Sequence, residues 1–171
     1  MTPEQLAYKY SIESYQEELQ LQEVLNYSKI FDKKLGVPTQ IHEVNVLGDG
    51  NCLFRCISHV LYGDQKHHDI VRKNMIQYAK DNKQVFKHSA NLDSSIERWI
   101  GRMINYGNKE FGIMGEFGDS FAIELISWML EQPIIITIQS RNSSIVDVTG
   151  EWFSKPAIRL RLCNMHYTLL L

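Results

Sequence analysis

The chain has 171 residues, a usual length for one domain that buries a continuous apolar core. Apolar residues make up 44% of it and charged residues 22%, which is an ordinary globular composition. The formal net charge of −2 leaves no surplus of cations to neutralise phosphates, so we expect no nucleic-acid partner. No apolar run approaches the roughly 20 residues that span a bilayer, and the first residues lack the pattern of a signal peptide.

The three cysteines, Cys52, Cys56 and Cys163, are an odd and sparse set. Such a set favours reduced thiols in a cytoplasmic compartment over a disulfide framework. Cys52 and Cys56 lack the tight paired spacing of a zinc finger or ribbon, and no second pair follows them. The sequence therefore predicts no metal site.

Capping signals and apolar spacing predict helices before strands. Residues 2–35 have a helical pattern that Gly36 and Pro38 end, and residues 41–47 could form a short strand. After a turn over 48–51, the predicted helices cover 52–61, 66–81, 93–104 and 119–131, with a glycine-rich loop over 107–118. Strands are predicted over 134–138, 157–163 and 166–171. This order of elements indicates the α+β class.

Cys52 is the first candidate for chemistry, because it follows the turn Gly48-Asp49-Gly50-Asn51 and begins a predicted helix. The unpaired N–H groups of a helix N-terminus stabilise an anion, which predicts a lowered thiol pKa and a nucleophilic sulfur. A cysteine in an apolar helix is otherwise a small core residue, and we expect that role for Cys56 and Cys163. The turn favours the nucleophile at Cys52, since a core cysteine has no need of four turn-forming residues.

A cysteine nucleophile needs a base within hydrogen-bond reach, and six histidines are available. His67, His68 and His88 lie at a helix start or in a polar stretch, where capping and surface roles are more usual. His166 stands at the junction of two predicted strands, before the apolar run that ends at Leu171. A strand end is a rigid mount for an imidazole, although a strand histidine taken alone is more often structural.

Two motifs together resemble those of the ovarian-tumour (OTU) family of cysteine peptidases. The segment Gly48-Asp49-Gly50-Asn51-Cys52-Leu53-Phe54-Arg55 resembles its nucleophile motif, and Asn164-Met165-His166-Tyr167 resembles its histidine motif. Other similar segments lie between them: His68-x-x-Val71-Arg72, Phe117-Gly118-Asp119, the helix through Glu124 and Leu125, and Pro133-Ile134-Ile135-Ile136. The resemblance covers about residues 41–171, and the segments follow the family's order and spacing.

The resemblance implies a papain-like α+β fold, with a small central sheet flanked by helices. It also implies hydrolysis of bonds made by the C-terminal glycine of ubiquitin or a ubiquitin-like protein. In that reaction Cys52 attacks the carbonyl, while His166 activates the thiol and then protonates the leaving amine. The backbone of Gly50, Asn51 and Cys52 would form the oxyanion hole. Asp49 would shape this hole or take a direct part in catalysis; the alternative is a turn-forming residue whose side chain caps the following backbone. No cofactor is implied.

The main departure from the family lies at Thr168, where many members have Asp or Asn to hold the imidazole. Strand alternation places Thr168 on the same face as His166, so its hydroxyl could accept the ring N–H. A hydroxyl carries no negative charge, which predicts a weaker triad, or one completed by Asp49 or another acid. Phe117 replaces a tryptophan, and with Gly118 it either lines the channel for a narrow glycine-glycine tail or serves packing.

The matched part defines a catalytic core over residues 37–171, packed with an N-terminal helical extension over residues 1–36. We expect the extension to be a packed cap or an accessory arm that grips ubiquitin. The expected partners are ubiquitin or polyubiquitin chains, and the expected state is a monomer in the cytoplasm or delivered into a host cytosol. The open alternatives are a protease for a ubiquitin-like modifier, a weakly active ubiquitin-binding module and a protease that trims its own polyprotein.

Overall fold

The computed structural model of the chain describes residues 41–108 and 110–171. Its helices and strands, in chain order, are β1 (Glu43–Val44), α1 (Cys52–Tyr62), α2 (His68–Asp81), α3 (Lys83–Phe86), α4 (Ile96–Met103), α5 (Ser120–Leu130), β2 (Ile134–Gln139), β3 (Ser144–Thr149), β4 (Ile158–Cys163) and β5 (His166–Leu170). The predicted helices of residues 2–35 and the extension over 1–36 lie outside the described residues. Within the described part, no helix is both long enough and apolar enough to cross a membrane.

The five strands form one mixed sheet in the order β1-β5-β4-β2-β3. Strands β2 and β4 are parallel, whereas the other three pairings are antiparallel. The buried side chains of one sheet face, among them Ile134, Leu160 and Leu169, join those of the helices in a single apolar core. The predicted α+β class is confirmed.

The ends of the helices follow the local signals in the sequence. Helix α1 ends at Gly63, which takes the left-handed conformation with φ 77° that favours glycine. The side chains of Ser95 and Asp119 cap α4 and α5 by accepting backbone N–H groups of their first turns. These helices begin and end close to the predicted bounds, and α2 begins at His68, two residues later than the pattern suggested.

Three elements differ from the sequence-based prediction. The predicted strand over 41–47 pairs with β5 only at Glu43 and Val44. Strand β3 was not predicted, because Asp147 interrupts its apolar pattern, yet it pairs with β2 over its whole length. The short helix α3 was not predicted either, and it has only four residues.

A tight hairpin joins β4 to β5 and sets the position of the histidine motif. Cys163 and His166 are paired residues, so Asn164 and Met165 alone form the turn. Both have positive φ, 50° and 59°, as a two-residue turn of the I′ type requires. His166 is therefore the first residue of β5, on a strand that two neighbours hold in the sheet.

Candidate active site

The sulfur of Cys52 lies where α1 meets β5. Cys52 is the first residue of α1 and is only 2% exposed. Its Sγ accepts the backbone N–H of Tyr167 at 3.5 Å, and the N–H groups of Leu53 and Cys52 itself also favour the thiolate. Because Tyr167 directly follows His166, this contact joins the two motifs through residues that are 115 positions apart along the chain.

The pKa of the Cys52 thiol differs from the prediction. Burial raises it above its ordinary value, although the surrounding N–H groups act in the opposite direction. The N–H groups at the helix N-terminus therefore lower the pKa of the Cys52 thiol by less than the loss of water around the sulfur raises it. An isolated thiolate is unfavourable here, so a neighbouring base must take the proton for the sulfur to react.

His166 is half-buried and its ring lies over Gly48, the first residue of the turn before Cys52. A Cβ placed on Gly48 would be 3.6 Å from Nδ1 of His166, which is ordinary van der Waals contact. The nucleophile turn and the histidine strand therefore pack directly on each other. This places the predicted base beside the predicted nucleophile loop.

The carboxylate of Asp49 binds Arg55 and its own loop. Its two oxygens accept hydrogen bonds from Nε and Nη2 of Arg55 at 3.1 and 2.6 Å, and Oδ1 also accepts the N–H of Asn51 at 3.1 Å. Burial opposes ionisation of Asp49, but these hydrogen bonds outweigh it and lower the pKa to about 2. Asp49 is therefore a charged residue that holds the turn in shape.

The backbone of Gly115 packs closely against the predicted oxyanion loop. Gly50 has φ 83°, and a Cβ there would overlap the backbone of Gly115, whose N–H donates to the carbonyl of Asp49 at 2.9 Å. The N–H of Asn51 is taken by Asp49, so it is not free for a substrate oxygen in this conformation. The N–H groups of Gly50 and Cys52 remain as the candidate donors of the three.

Arg72 is a site residue whose role the sequence did not reveal. Its side chain is fully buried and donates to Oδ1 of Asn51 at 2.7 and 3.1 Å and to the carbonyls of Gly50 at 3.2 Å and Glu116 at 2.7 Å. Its guanidinium also stacks over Phe54, 4.1 Å from the ring centre. Burial lowers the pKa of Arg72 to about 10, so the side chain stays charged near neutral pH.

An arginine in this place fixes the direction of the oxyanion loop. By accepting from Arg72, the carbonyl of Gly50 is held on the α2 side of the loop. The side-chain amide of Asn51 extends the network, since it donates to the carbonyl of Tyr106 at 3.0 Å. The only sequence signal was the segment His68-x-x-Val71-Arg72, which by itself gives no reason to expect a buried arginine.

The hydroxyl of Thr168 points to a carboxylate that the sequence analysis did not identify. It donates to Oε1 of Glu43 at 2.6 Å, and the two oxygens of Glu43 also accept from Nη1 of Arg161 at 3.0 and 3.1 Å. The predicted hydrogen bond between Thr168 and the ring of His166 is not made in this conformation. The role of Thr168 in orienting the histidine stays a prediction.

Phe117 and Gly118 have clear packing roles. The ring of Phe117 stacks on Tyr167 with a centroid distance of 5.2 Å and an angle of 11°. Gly118 is buried, and a Cβ there would overlap the side chain of Leu53. Packing against the residues that flank Cys52 and His166 thus accounts for both, and their part in a substrate channel stays a prediction.

Among the described residues, no group of three or more His, Cys, Asp or Glu side chains lies close enough to hold a metal ion. The three cysteines are all free thiols. A buried cysteine at a helix start, packed beside a strand histidine and a loop of backbone donors, defines a site of the thiol-protease class.

Comparison with known proteins gives the family. The sequence model of the family described as OTU-like cysteine protease matches residues 47–169, and the chain belongs to this family. Over 110 residues the chain is 23% identical to the OVARIAN TUMOR DOMAIN-containing deubiquitinating enzyme 12 of Arabidopsis thaliana. That alignment covers 64% of this chain and 46% of the relative, so the chain spans less than half of the relative's length.

Solved structures of the family share the fold. The OTU domain of OTUD1 matches with a TM-score of 0.62 at 20% identity, over 86% of this chain and 93% of that chain. The Hazara virus OTU bound to ubiquitin matches with a TM-score of 0.60 at 15% identity, over 77% of this chain and 80% of that chain. The predicted OTU fold is confirmed.

Proposed function

We propose that the chain is a deubiquitinase, which hydrolyses isopeptide or peptide bonds at the C-terminal glycine of ubiquitin. The observation that carries the proposal is the junction of α1 and β5. There the sulfur of Cys52 meets the N–H that follows His166, beside a loop held by Asp49 and Arg72. Family membership supports the thiol chemistry, and the ubiquitin-bound Hazara virus relative supports the substrate class.

The mechanism begins with transfer of the Cys52 proton to His166. The thiolate attacks the carbonyl carbon of the terminal glycine, and the developing oxyanion accepts N–H groups of the loop, with those of Gly50 and Cys52 as the candidate donors. His166 then gives its proton to the leaving amine, and the C–N bond breaks. Water, with His166 as base, hydrolyses the remaining thioester and restores the thiol.

Hydrolysis of ubiquitin dimers and of a fluorogenic ubiquitin C-terminal amide tests this proposal. We expect turnover by the wild type and none by Cys52→Ala or His166→Ala of equal solubility. The matched substrates made from ubiquitin-like modifiers are the control for modifier identity. Turnover of those substrates alone would show that the modifier recognised is a ubiquitin-like protein and not ubiquitin. Tight ubiquitin binding without any turnover would indicate a binding module.

The compartment belongs to the same proposal. A catalytic thiol must stay reduced to react, and three free cysteines are compatible with a reducing compartment. We therefore place the activity in a cytoplasm, either of the producing cell or of a host. Fractionation of cells that express the tagged full chain, followed by detection of thiol-probe labelling in each fraction, would test this assignment.

A further inference from the structure

The acid that should assist His166 has no obvious source in the turn before Cys52. A histidine base needs a partner that fixes one ring nitrogen as N–H and stabilises the positive charge formed on proton transfer. Asp49 already accepts three hydrogen bonds from Arg55 and Asn51. Its charge is therefore balanced by Arg55, and its oxygens are aimed at the loop.

A second carboxylate lies on the sheet face that carries His166. Glu43 pairs with Leu170 across β1 and β5, and paired residues share a face of the sheet. Thr168 and His166 precede Leu170 by two and four residues on β5, so alternation places all of these side chains on one face. The bond from Thr168 to Glu43, at 2.6 Å, joins residues that are 125 positions apart.

The bond to Glu43 determines what the Thr168 hydroxyl can offer to its neighbours. A hydroxyl has one hydrogen to donate and two lone pairs that accept, so on its own it can present either to an imidazole. An ionised carboxylate only accepts, and hydrogen bonding to Thr168 is the largest influence on Glu43, holding its pKa below the ordinary value. The single hydroxyl hydrogen is thus committed to Glu43, and Thr168 can act only as an acceptor elsewhere.

We propose that Glu43 is a positioning residue for His166 and acts through the hydroxyl of Thr168. The inference rests on the proposed function. With its hydrogen committed, Thr168 accepts the ring N–H of His166 and leaves the other ring nitrogen bare to take the Cys52 proton. Catalytic hydrogen bonds are often long or poorly aligned in substrate-free structures, so this bond forms when the ring turns to take the Cys52 proton. The glutamate supplies the charge that the threonine lacks.

Arg161 lies on β4, on the far side of β5 from Glu43, and its guanidinium binds the Glu43 carboxylate across β5. It balances part of the carboxylate's charge, so the effect on His166 is smaller than that of an unpaired aspartate. Arg161 also supplies a matched control. Removing it breaks the same ion pair as removing Glu43, but leaves the carboxylate and its bond to Thr168 in place.

The test compares kcat and KM of five variants on the fluorogenic ubiquitin amide. We expect Glu43→Gln and Thr168→Val each to lower kcat roughly tenfold, part of the roughly hundred- to ten-thousandfold that general acid–base catalysis contributes, with KM unchanged. In the double variant Glu43→Gln/Thr168→Val, kcat should fall no further than in either single variant. Glu43→Gln/Thr168→Asp, which moves the carboxylate to the strand of His166, should recover kcat. Arg161→Met should retain the wild-type kcat.

The acidic limb of the rate profile, along which protonation of the base stops the reaction, provides a readout that fold stability does not move. In Glu43→Gln it should shift to lower pH and return in Glu43→Gln/Thr168→Asp, because the imidazolium loses and then regains its partner. Equal losses in Glu43→Gln and Arg161→Met, or multiplied losses in Glu43→Gln/Thr168→Val, would overturn the proposal. The alkylation rate of Cys52 by iodoacetamide should follow the same order of variants without ubiquitin, so it separates this proposal from a failure of the proposed function.

Discussion

Arg72 donates two hydrogen bonds to the side-chain oxygen of Asn51, at 2.7 and 3.1 Å, and so ties α2 to the residue before the nucleophile. The same guanidinium holds the carbonyl of Gly50. Both groups belong to the turn that must present N–H donors to the reaction. The geometry of the candidate oxyanion hole therefore depends on a side chain that is fully buried beneath the loop.

Replacing Arg72 should impair catalysis more than a surface arginine does. Arg72→Lys keeps the charge but cannot reach Asn51, Gly50 and Glu116 together, so we expect kcat/KM to fall roughly tenfold or more. Arg72→Leu leaves buried acceptors unpaired and should cost about 3 kcal/mol of unfolding free energy. Steady-state kinetics and urea unfolding measure the two effects. Arg98→Lys, at an exposed position on α4, is the control, and equal rates for both lysine variants would refute this role.

Gly50 and Gly63 form a matched pair for testing the nucleophile turn. Both have positive φ, 83° and 77°, so alanine strains each backbone by about 1 kcal/mol. At Gly50 the added Cβ would also overlap Gly115, whereas at Gly63 it meets nothing within 4 Å. Gly50→Ala should therefore abolish turnover and lower the melting temperature well beyond Gly63→Ala. Similar behaviour of the two variants would show that the contact with Gly115 is dispensable.

The charge on Asp49 predicts how stability depends on pH. Its pKa is about 2 in the folded chain against an ordinary 3.8, so the unfolded chain binds the proton first as pH falls. The contribution, about 2 kcal/mol, is present above roughly pH 4 and is lost as pH falls toward 2. Urea unfolding across this range should show a shallower pH dependence for Asp49→Asn than for wild type. Asp69→Asn, an exposed control, should retain the wild-type slope, and an unchanged slope in Asp49→Asn would contradict the account.

Cys56 should be dispensable for chemistry although it lies one helical turn beyond Cys52. Its side chain is fully buried, and burial raises the pKa of its thiol well above the ordinary value. Cys56→Ala should retain wild-type turnover and lose about 1 kcal/mol of stability. Alkylation mapped by mass spectrometry should modify Cys52 before Cys56. Loss of turnover in well-folded Cys56→Ala would assign this thiol a part in the reaction.

The elements that sequence predicts well are those whose signals are local. The turn from Gly48 to Asn51, the stop of α1 at Gly63 and the caps Ser95 and Asp119 each depend on residues within a few positions. Strand β3 is absent from the predicted strands because Asp147 breaks its apolar run. The turn residues 140–143, between two β-branched segments, were the signal that could have revealed the β2–β3 hairpin.

The contacts that complete the candidate site are long-range, and no local pattern encodes them. Arg72 reaches Asn51 across 21 positions, and Thr168 reaches Glu43 across 125. The pKa of Cys52 was predicted in the wrong direction for the same reason. The helix N-terminus is visible in the sequence, but the depth at which the fold buries the sulfur is not.

The most direct test of the central claim is reaction of the purified chain with ubiquitin that carries a C-terminal electrophile. We expect a covalent adduct of wild type at equal stoichiometry, with the cross-link at Cys52 by peptide mass spectrometry and no adduct in Cys52→Ala. Folded Cys52→Ala that still reacts, or folded wild type that does not, would contradict this claim.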